Sequence, residues 1–593
     1  MTLAQLLLCG VTAGGNAASI YRHVRYGRLA LRKRAVGFVL PLLALCLSII
    51  VLTSFHRNVR SAGRNPSASN MLDASAFSWL WDTQALADNP PAPSTVTVFT
   101  YHNDVARTGQ NLEEKTLTPA NVNFYDFGKL GFLAVDGLVD AEPLYVSNLK
   151  VAGHAHNVVF AATEHDSVYA FDADTLVQLW HVTVLGSNEA PSDDRNCGQV
   201  SPEIGITATP AIAYDGERGT IYLVAMSKDG AGNYFQRLHA LDIATGVEIS
   251  GSPTTIAATY PNLKGGTSFD PKQYKERASL LLLDGVVYTT WASHCDNGDY
   301  TGWIIGYNAA TLQQANVLNI TPNGNAGAIW MSGAGPAADE TGGIYLLDGN
   351  GTFDRTLNES GFPSNCDFGN GFLKLSTDGG KLSVADYFDT HDTDAESRAD
   401  IDLGSGGALV LPDLKDAEGN TWQLAVGAGK DHRIYVVNRN SMGKFNTQKD
   451  NAIYQVINHE LAGGIWSMPA YFQNTVYFGA VNDSLKAFSI ENAKLVPKPA
   501  SQTSALFAYP GTTPSISANG TDDAIVWAVE ARGDDAGVLH AYDANDLANE
   551  LYNSNQAGMR DAFADNKYIT PMIANGKVFV GTRSGVMVFG LLH

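Results

Sequence analysis

The chain has 593 residues, 45% hydrophobic and 17% charged, with 58 glycines and a net charge of −21. That length exceeds one ordinary core and predicts either about four domains or one large repeat architecture. Glycine above the usual ~7% favours many tight turns and an all-β fold. The acidity excludes a nucleic-acid binder, which needs positive charge to displace phosphate counterions, and five cysteines are too few for a disulfide scaffold at this length.

The charge is uneven. Residues 1–95 hold nine Lys/Arg and three Asp/Glu, so the rest of the chain carries −27. Residues 1–34 read as a basic cytoplasmic segment. Residues 35–55, AVGFVLPLLALCLSIIVLTSF, carry no charge, and a helix of that length spans ~30 Å, the thickness of the hydrocarbon layer. Arg22, Arg25, Arg28, Arg32, Lys33 and Arg34 come just before it, which predicts that this end stays in the cytoplasm and the body is exported. Two readings stay open. One is a transmembrane helix anchoring a periplasmic body at the inner membrane of the cell envelope. The other is a signal sequence whose cleavage releases a secreted body, although no small-x-small site follows at the usual distance. Residues 56–94, rich in Ser, Ala, Asn and Pro, read as a linker.

Residues 95–593 read as one repeat. Apolar runs recur as NVVFAAT (157–163), TIYLVAM (220–226), VVYTTWA (286–292), GIYLLDG (343–349), WQLAVGA (422–428), TVYFGAV (475–481), IVWAVEA (525–531) and KVFVGTR (577–583), with start-to-start spacings of 63, 66, 57, 79, 53, 50 and 52. Each is followed by a second run, from SVYAFDA (167–173) to GVMVFGL (585–591), and most are preceded by a shorter one such as TPAIAY (209–214) or TPMIA (570–574). Strand units recurring every ~50 residues predict a β-propeller, because a lone blade cannot bury both its faces. Eight units predict eight blades. The last unit lacks an outer strand, and FGKLGFLAVDG (127–137) can supply it and close the ring.

The unit VFAATEHDSVYAFDADTLVQLW (159–180) resembles the repeat of the pyrroloquinoline quinone (PQQ) dehydrogenases, and LTPANV (117–122) resembles the segment that leads into their first blade. The resemblance implies an eight-bladed quinoprotein propeller. The same repeat occurs in non-catalytic propellers, so it supports the fold and leaves function to the site. In the dehydrogenases a tryptophan stacks beneath the quinone, a calcium or lanthanide ion polarises it, and an aspartate takes the proton of the substrate hydroxyl.

Carried over residue by residue, GAIWMSGAGPAADETGGIYLLDGNGTFD (327–354) places Trp330 on the stacking tryptophan and Asn350 on the asparagine that binds the metal. The alternatives are blade packing for Trp330 and a left-handed turn residue for Asn350. DTHDTDAESRADIDLGSGG (389–407) places Asp400 on the catalytic base and metal ligand, and Asp402 on the extra carboxylate of lanthanide-using members. Alternation along a strand would give the two a common face; the bland reading is a solvated acidic loop, and the family's tryptophan is Ala399 here. In GAGKDHRIYVVNR (427–439) Lys430 falls on the residue that bonds the quinone oxygens, and in GGIWSMP (463–469) Trp466 falls on a wall of the central pocket.

Parts of the family pattern are missing. Its adjacent cysteine pair is reduced to Cys197, followed by Gly198, and the arginine expected soon after is replaced by SPEIGIT (201–207) with Glu203. The metal-binding glutamate has no match, Asp229 is out of register, and Asp140 roughly matches a first-blade acid. No C-x-x-C-H is present, so the resemblance implies an external acceptor such as a cytochrome rather than a covalent haem. His165 and His294 read as satisfied turn histidines, and Cys197 could pair with Cys295 in an oxidising compartment. Two functions follow: oxidation of an alcohol or sugar hydroxyl with PQQ and a bound ion, or a non-catalytic envelope propeller binding protein or polysaccharide.

Overall fold

The computed structural model describes residues 95–532 and 536–592. The expected basic segment 1–34, membrane segment 35–55 and linker 56–94 all lie outside them. Among the described residues no helix is long and apolar enough to cross a membrane.

The strands form eight antiparallel blades: 144–183, 211–255, 281–319, 337–388, 408–457, 470–507, 515–553 and 572–591, numbered 1 to 8 below. Their middle strands are the sixteen apolar runs of the sequence. Ser167–Asp172 is buried at every position, since blades are covered on both faces. That burial makes such strands read as continuous apolar runs rather than alternating ones.

Blade 8 takes its outer strand from the other end of the chain. Phe127–Ala134 lies antiparallel to Gly585–Leu591, with partners running from Phe127↔Leu591 to Ala134↔Gly585. Phe127 is buried and joins two blades, its ring 5.4 Å from Trp527, 5.0 Å from Tyr552 and 6.4 Å from Phe589. Phe127→Ala is therefore expected to cost about 3–5 kcal/mol, the usual range for deleting a buried phenylalanine, seen as a lower urea midpoint. An unchanged midpoint would show that this strand does not hold the ring closed.

Residues 99–109 cross the propeller axis and touch every blade. The N–H groups of Ile212, Ala338, Val410, Tyr471 and Ile516 donate to the carbonyls of Phe99, Val105, Ala106, Thr108 and Gly109, which ties in blades 2, 4, 5, 6 and 7. Arg107 is fully buried. Its Nη2 donates to the Leu280 carbonyl at 3.1 Å, beside blade 3, and its Nε to the Pro336 carbonyl at 3.0 Å. The His102 N–H donates to Glu142 Oε2 at 2.8 Å, beside blade 1, and Thr570 Oγ1 donates to the Tyr101 hydroxyl at 3.2 Å, beside blade 8. The innermost strands of blades 2, 4, 5, 6 and 7 thus end their hydrogen-bonding rows on one shared segment.

The longest spacing in the repeat, 79 residues, falls between blades 4 and 5. Two insertions account for it. One lies between Ile344–Leu347 and Phe372–Ser376, the other between Ser383–Phe388 and Ala408–Val410. Both contribute to the site.

Candidate functional site

A cavity of about 320 Å³ is lined by Lys275 and Arg277 before blade 3, Ser293, Cys295 and Asp296 within it, Trp330 before blade 4, Gly349, Asn350, Asp400 and Asp402 from the two insertions, Lys430 within blade 5, and Trp466 and Tyr509 on either side of blade 6. It lies next to the axial segment along the same inner strands: Arg277 is followed by Leu280, and Trp330 by Pro336, whose carbonyls receive Arg107.

The structure brings all six residues named from the sequence to this cavity. Trp330 Nε1 donates to Asp402 Oδ2 at 3.1 Å, and Asn350 Nδ2 donates to Asp400 Oδ1 at 2.7 Å. Lys430 Nζ bridges the two carboxylates, 2.6 Å from Asp400 Oδ1 and 2.7 Å from Asp402 Oδ1. The same ammonium lies 5.6 Å from the Trp330 ring centre and 5.9 Å from that of Trp466, within cation–π range. Trp466 in turn meets Tyr509 edge to face at 5.7 Å.

The local backbone explains how these groups meet. Residues 400 and 402 do not alternate along a strand, contrary to the sequence expectation. Thr393–Ala399 is a short helix, Asp400 caps it in the left-handed region at φ 57°, and Asp402 is extended ahead of a 3-10 turn. Asp394 and Glu396 lie in the first turn of this helix, where acids are favoured. Glu396 anchors that helix by accepting from Asn370 Nδ2 at 3.0 Å and Thr390 Oγ1 at 2.8 Å. Burial, with the Asp431 charge adding, pushes its carboxyl up to about 7. Asn370 also receives the Leu403 N–H at 2.7 Å, which fixes the 3-10 turn after Asp402. Glycine is required at Gly404, where a Cβ would sit 2.3 Å from the Asp348 backbone, and a Cβ on Gly349 would be a tight 3.1 Å from Asp402 Oδ2.

Burial pushes the Asp402 carboxyl up, and Lys430 and then Trp330 pull it part of the way back. Burial works against the Lys430 ammonium, but Asp402 and Asp400 outweigh it and hold its pKa above the ordinary value. Asp402 is 1% exposed, whereas the Asp400 side chain is 69% exposed. The fit to a cation rests on Asn350. Its Oδ1 is buried with no hydrogen-bond partner among the described residues, beside a carboxylate, and amide and carboxylate oxygens are the donors that hard cations take. The fit to a planar group rests on Trp330 and Trp466, in a cavity at the lower end of the usual ligand-pocket range.

Neither a family model nor a curated protein matches the sequence. Among solved structures, the chain is similar to the quinohemoprotein alcohol dehydrogenase of Comamonas testosteroni, at 14% identity over 84% of this chain and 81% of that one, with a TM-score of 0.56. A quinohemoprotein alcohol dehydrogenase of Pseudomonas putida HK5 gives the same identity and TM-score over 84% and 80%. The fold is that of the quinoprotein alcohol dehydrogenases.

Against that fold the differences stand out. Instead of two adjacent cysteines, Cys197 pairs with Cys295, and this disulfide borders the cavity through Cys295 and the neighbouring Gln199. Glu203, in place of the expected arginine, binds His165 Nδ1 at 2.8 Å. Asp229 accepts from Asn233 within its own turn. Asp140 accepts from Asn566 Nδ2 at 2.7 Å and pairs with Arg277 at 3.3 Å. His294 departs from the sequence expectation. Neither ring nitrogen has a partner among the described residues, and burial, with Lys275 and Arg195 adding, brings its pKa down to about 3, so the ring is neutral. The sequence reading missed Asp296 and the Lys275–Arg277 pair. Their only signals were an acid after S-H-C and a K-x-R before an apolar run.

Proposed function

We propose that this chain is a quinoprotein dehydrogenase-like propeller that oxidises an alcohol or sugar hydroxyl, with PQQ and a calcium or lanthanide ion held in the cavity. The observation that carries the reading is the unpartnered Oδ1 of Asn350, set beside Asp400 and close to the tryptophan floor. The quinone, when bound, supplies a two-electron acceptor. Asn350 Oδ1 and Asp402 would hold the ion, with Asp400 as a further oxygen ligand. Trp330, fixed by its bond to Asp402, gives the planar ring an apolar floor, and Trp466 walls the pocket. Asp400 is the exposed carboxylate of the group and takes the hydroxyl proton, while Lys430, paired with it at 2.6 Å, donates to oxygens at the cavity edge. With no haem motif in this chain, electrons pass to an external acceptor such as a cytochrome.

The neighbours named in the comparison act on alcohols, which favours that substrate class here. The Cys197–Cys295 disulfide and the basic segment before residues 35–55 favour an extracytoplasmic propeller, anchored by that segment or released from it. The second reading, an envelope propeller that binds protein or polysaccharide without catalysis, has one observation in its favour: Lys430 already bridges Asp400 and Asp402, so these carboxylates are paired without an ion.

The test is a dye-linked assay with primary alcohols and aldoses after incubation with PQQ and Ca²⁺ or La³⁺. Turnover that needs both additions and falls at least a hundredfold in Asp400→Asn supports the first reading. No turnover, with polysaccharide or envelope protein retained on the immobilised chain, supports the second.

A further inference from the structure

The blade 3 side of the cavity carries two cations that the mechanism above leaves unused. Lys275 and Arg277 are 2% and 6% exposed. They sit at i and i+2 of an extended segment, so both face the cavity, while Glu276 between them turns into the blade and accepts the Thr290 N–H at 3.0 Å. Arg277 is partly committed, to Asp140 at 3.3 Å and over the Tyr568 ring at 4.8 Å. Lys275 Nζ has no hydrogen bond or ion pair among the described residues. Burial, with Arg277 adding, lowers its pKa to about 8, and Glu164 and Asp140 only partly oppose this. Glu164 is itself pushed well above the carboxylate range by burial and then by Asp140, and it makes no ion pair with the lysine among the described residues.

A buried ammonium without a partner is strongly unfavourable. With Arg277 paired to Asp140 and Lys275 unpaired on the cavity lining, this wall offers one uncommitted positive charge, which one carboxylate would match. We propose that Lys275 and Arg277 form an anion-binding wall that receives one carboxylate of the molecule held in the cavity. The proposal rests on the cavity being a ligand site. The carboxylate could belong to the cofactor or to an acidic substrate such as a sugar acid. Arg277 supplies the planar fork and Lys275 the point charge.

The test compares wild type with Lys275→Met and Lys275→Gln, using PQQ and PQQ trimethyl ester as probes and quenching of tryptophan fluorescence as the readout. Glucuronate and glucose are compared in parallel by thermal shift. The expected result is that both variants bind PQQ at least tenfold more weakly than wild type and the ester unchanged. Without ligand, Lys275→Met should melt at or above the wild-type temperature, because an unpaired charge has gone. If PQQ fails to bind wild type, the quinone reading falls. The anion wall then still stands if glucuronate, and not glucose, raises the wild-type melting temperature and this rise is lost in the variants. Equal loss of acid and ester, no loss of either ligand, no binding of PQQ or glucuronate to wild type, or a Lys275→Met melting temperature several degrees below wild type would each overturn the proposal.

Discussion

Arg107→Ala is expected to be among the most damaging single substitutions in this propeller. Its guanidinium donates to the carbonyls of Pro336, Leu280 and Tyr101 and to Thr100 Oγ1, at 2.7–3.1 Å, with no exposure to solvent. Truncation would leave at least three buried carbonyls without a donor. At about 1–3 kcal/mol for each unsatisfied buried group, the loss comes to about 4–6 kcal/mol, and a cavity at the axis adds to it. Urea denaturation should show a much lower midpoint, and limited proteolysis should cut first in the segment before blade 1. Arg107→Lys should recover little, since a single ammonium cannot reach the carbonyls beside blades 3 and 4 together. A midpoint near wild type would mean that the axial segment decorates the ring without tying it.

Lys430→Met is expected to cost about 3 kcal/mol, the lower part of the range for breaking a buried pair. Asp402 is buried and would lose its cation, while the exposed Asp400 contributes little. The same substitution should strengthen cation binding, because the bridging ammonium no longer competes for the two carboxylates. Millimolar Ca²⁺ should therefore raise the melting temperature more in Lys430→Met than in wild type, by mass action on the folded state. A variant as stable as wild type and indifferent to Ca²⁺ would remove both the ion-pair argument and the metal site.

The blades were legible in the sequence because two-sided burial writes strands as unbroken apolar runs, and the closing strand was legible because blade 8 otherwise lacked an edge partner. The axial segment was not. TYHNDVARTG (100–109) has neither period, and its contribution lies in backbone carbonyls and one arginine that sequence alone would put on the surface. In the site, Trp330, Asn350, Asp400, Asp402, Lys430 and Trp466 were named from motif likeness, yet the strand geometry assumed for residues 400–402 was wrong, because a short helix over Thr393–Ala399 ends on Asp400 in the left-handed region. Lys275 and Arg277 escaped notice for a different reason. Charged residues alternating in a strand usually mark a solvated face, and only the neighbouring blades show that this face is enclosed.

The measurement that bears most directly on the proposed function is retention of the cofactor. Wild type and Asp402→Ala would be incubated with PQQ and either Ca²⁺ or La³⁺, desalted, and assayed by absorbance for quinone and by elemental analysis for metal. The account predicts one quinone and one ion per wild-type chain, each needing the other, and loss of both in Asp402→Ala, with the larger drop for La³⁺ because a higher charge gains most from an added carboxylate. Wild-type protein that emerges with neither quinone nor ion, or an Asp402→Ala variant that retains both, would contradict it.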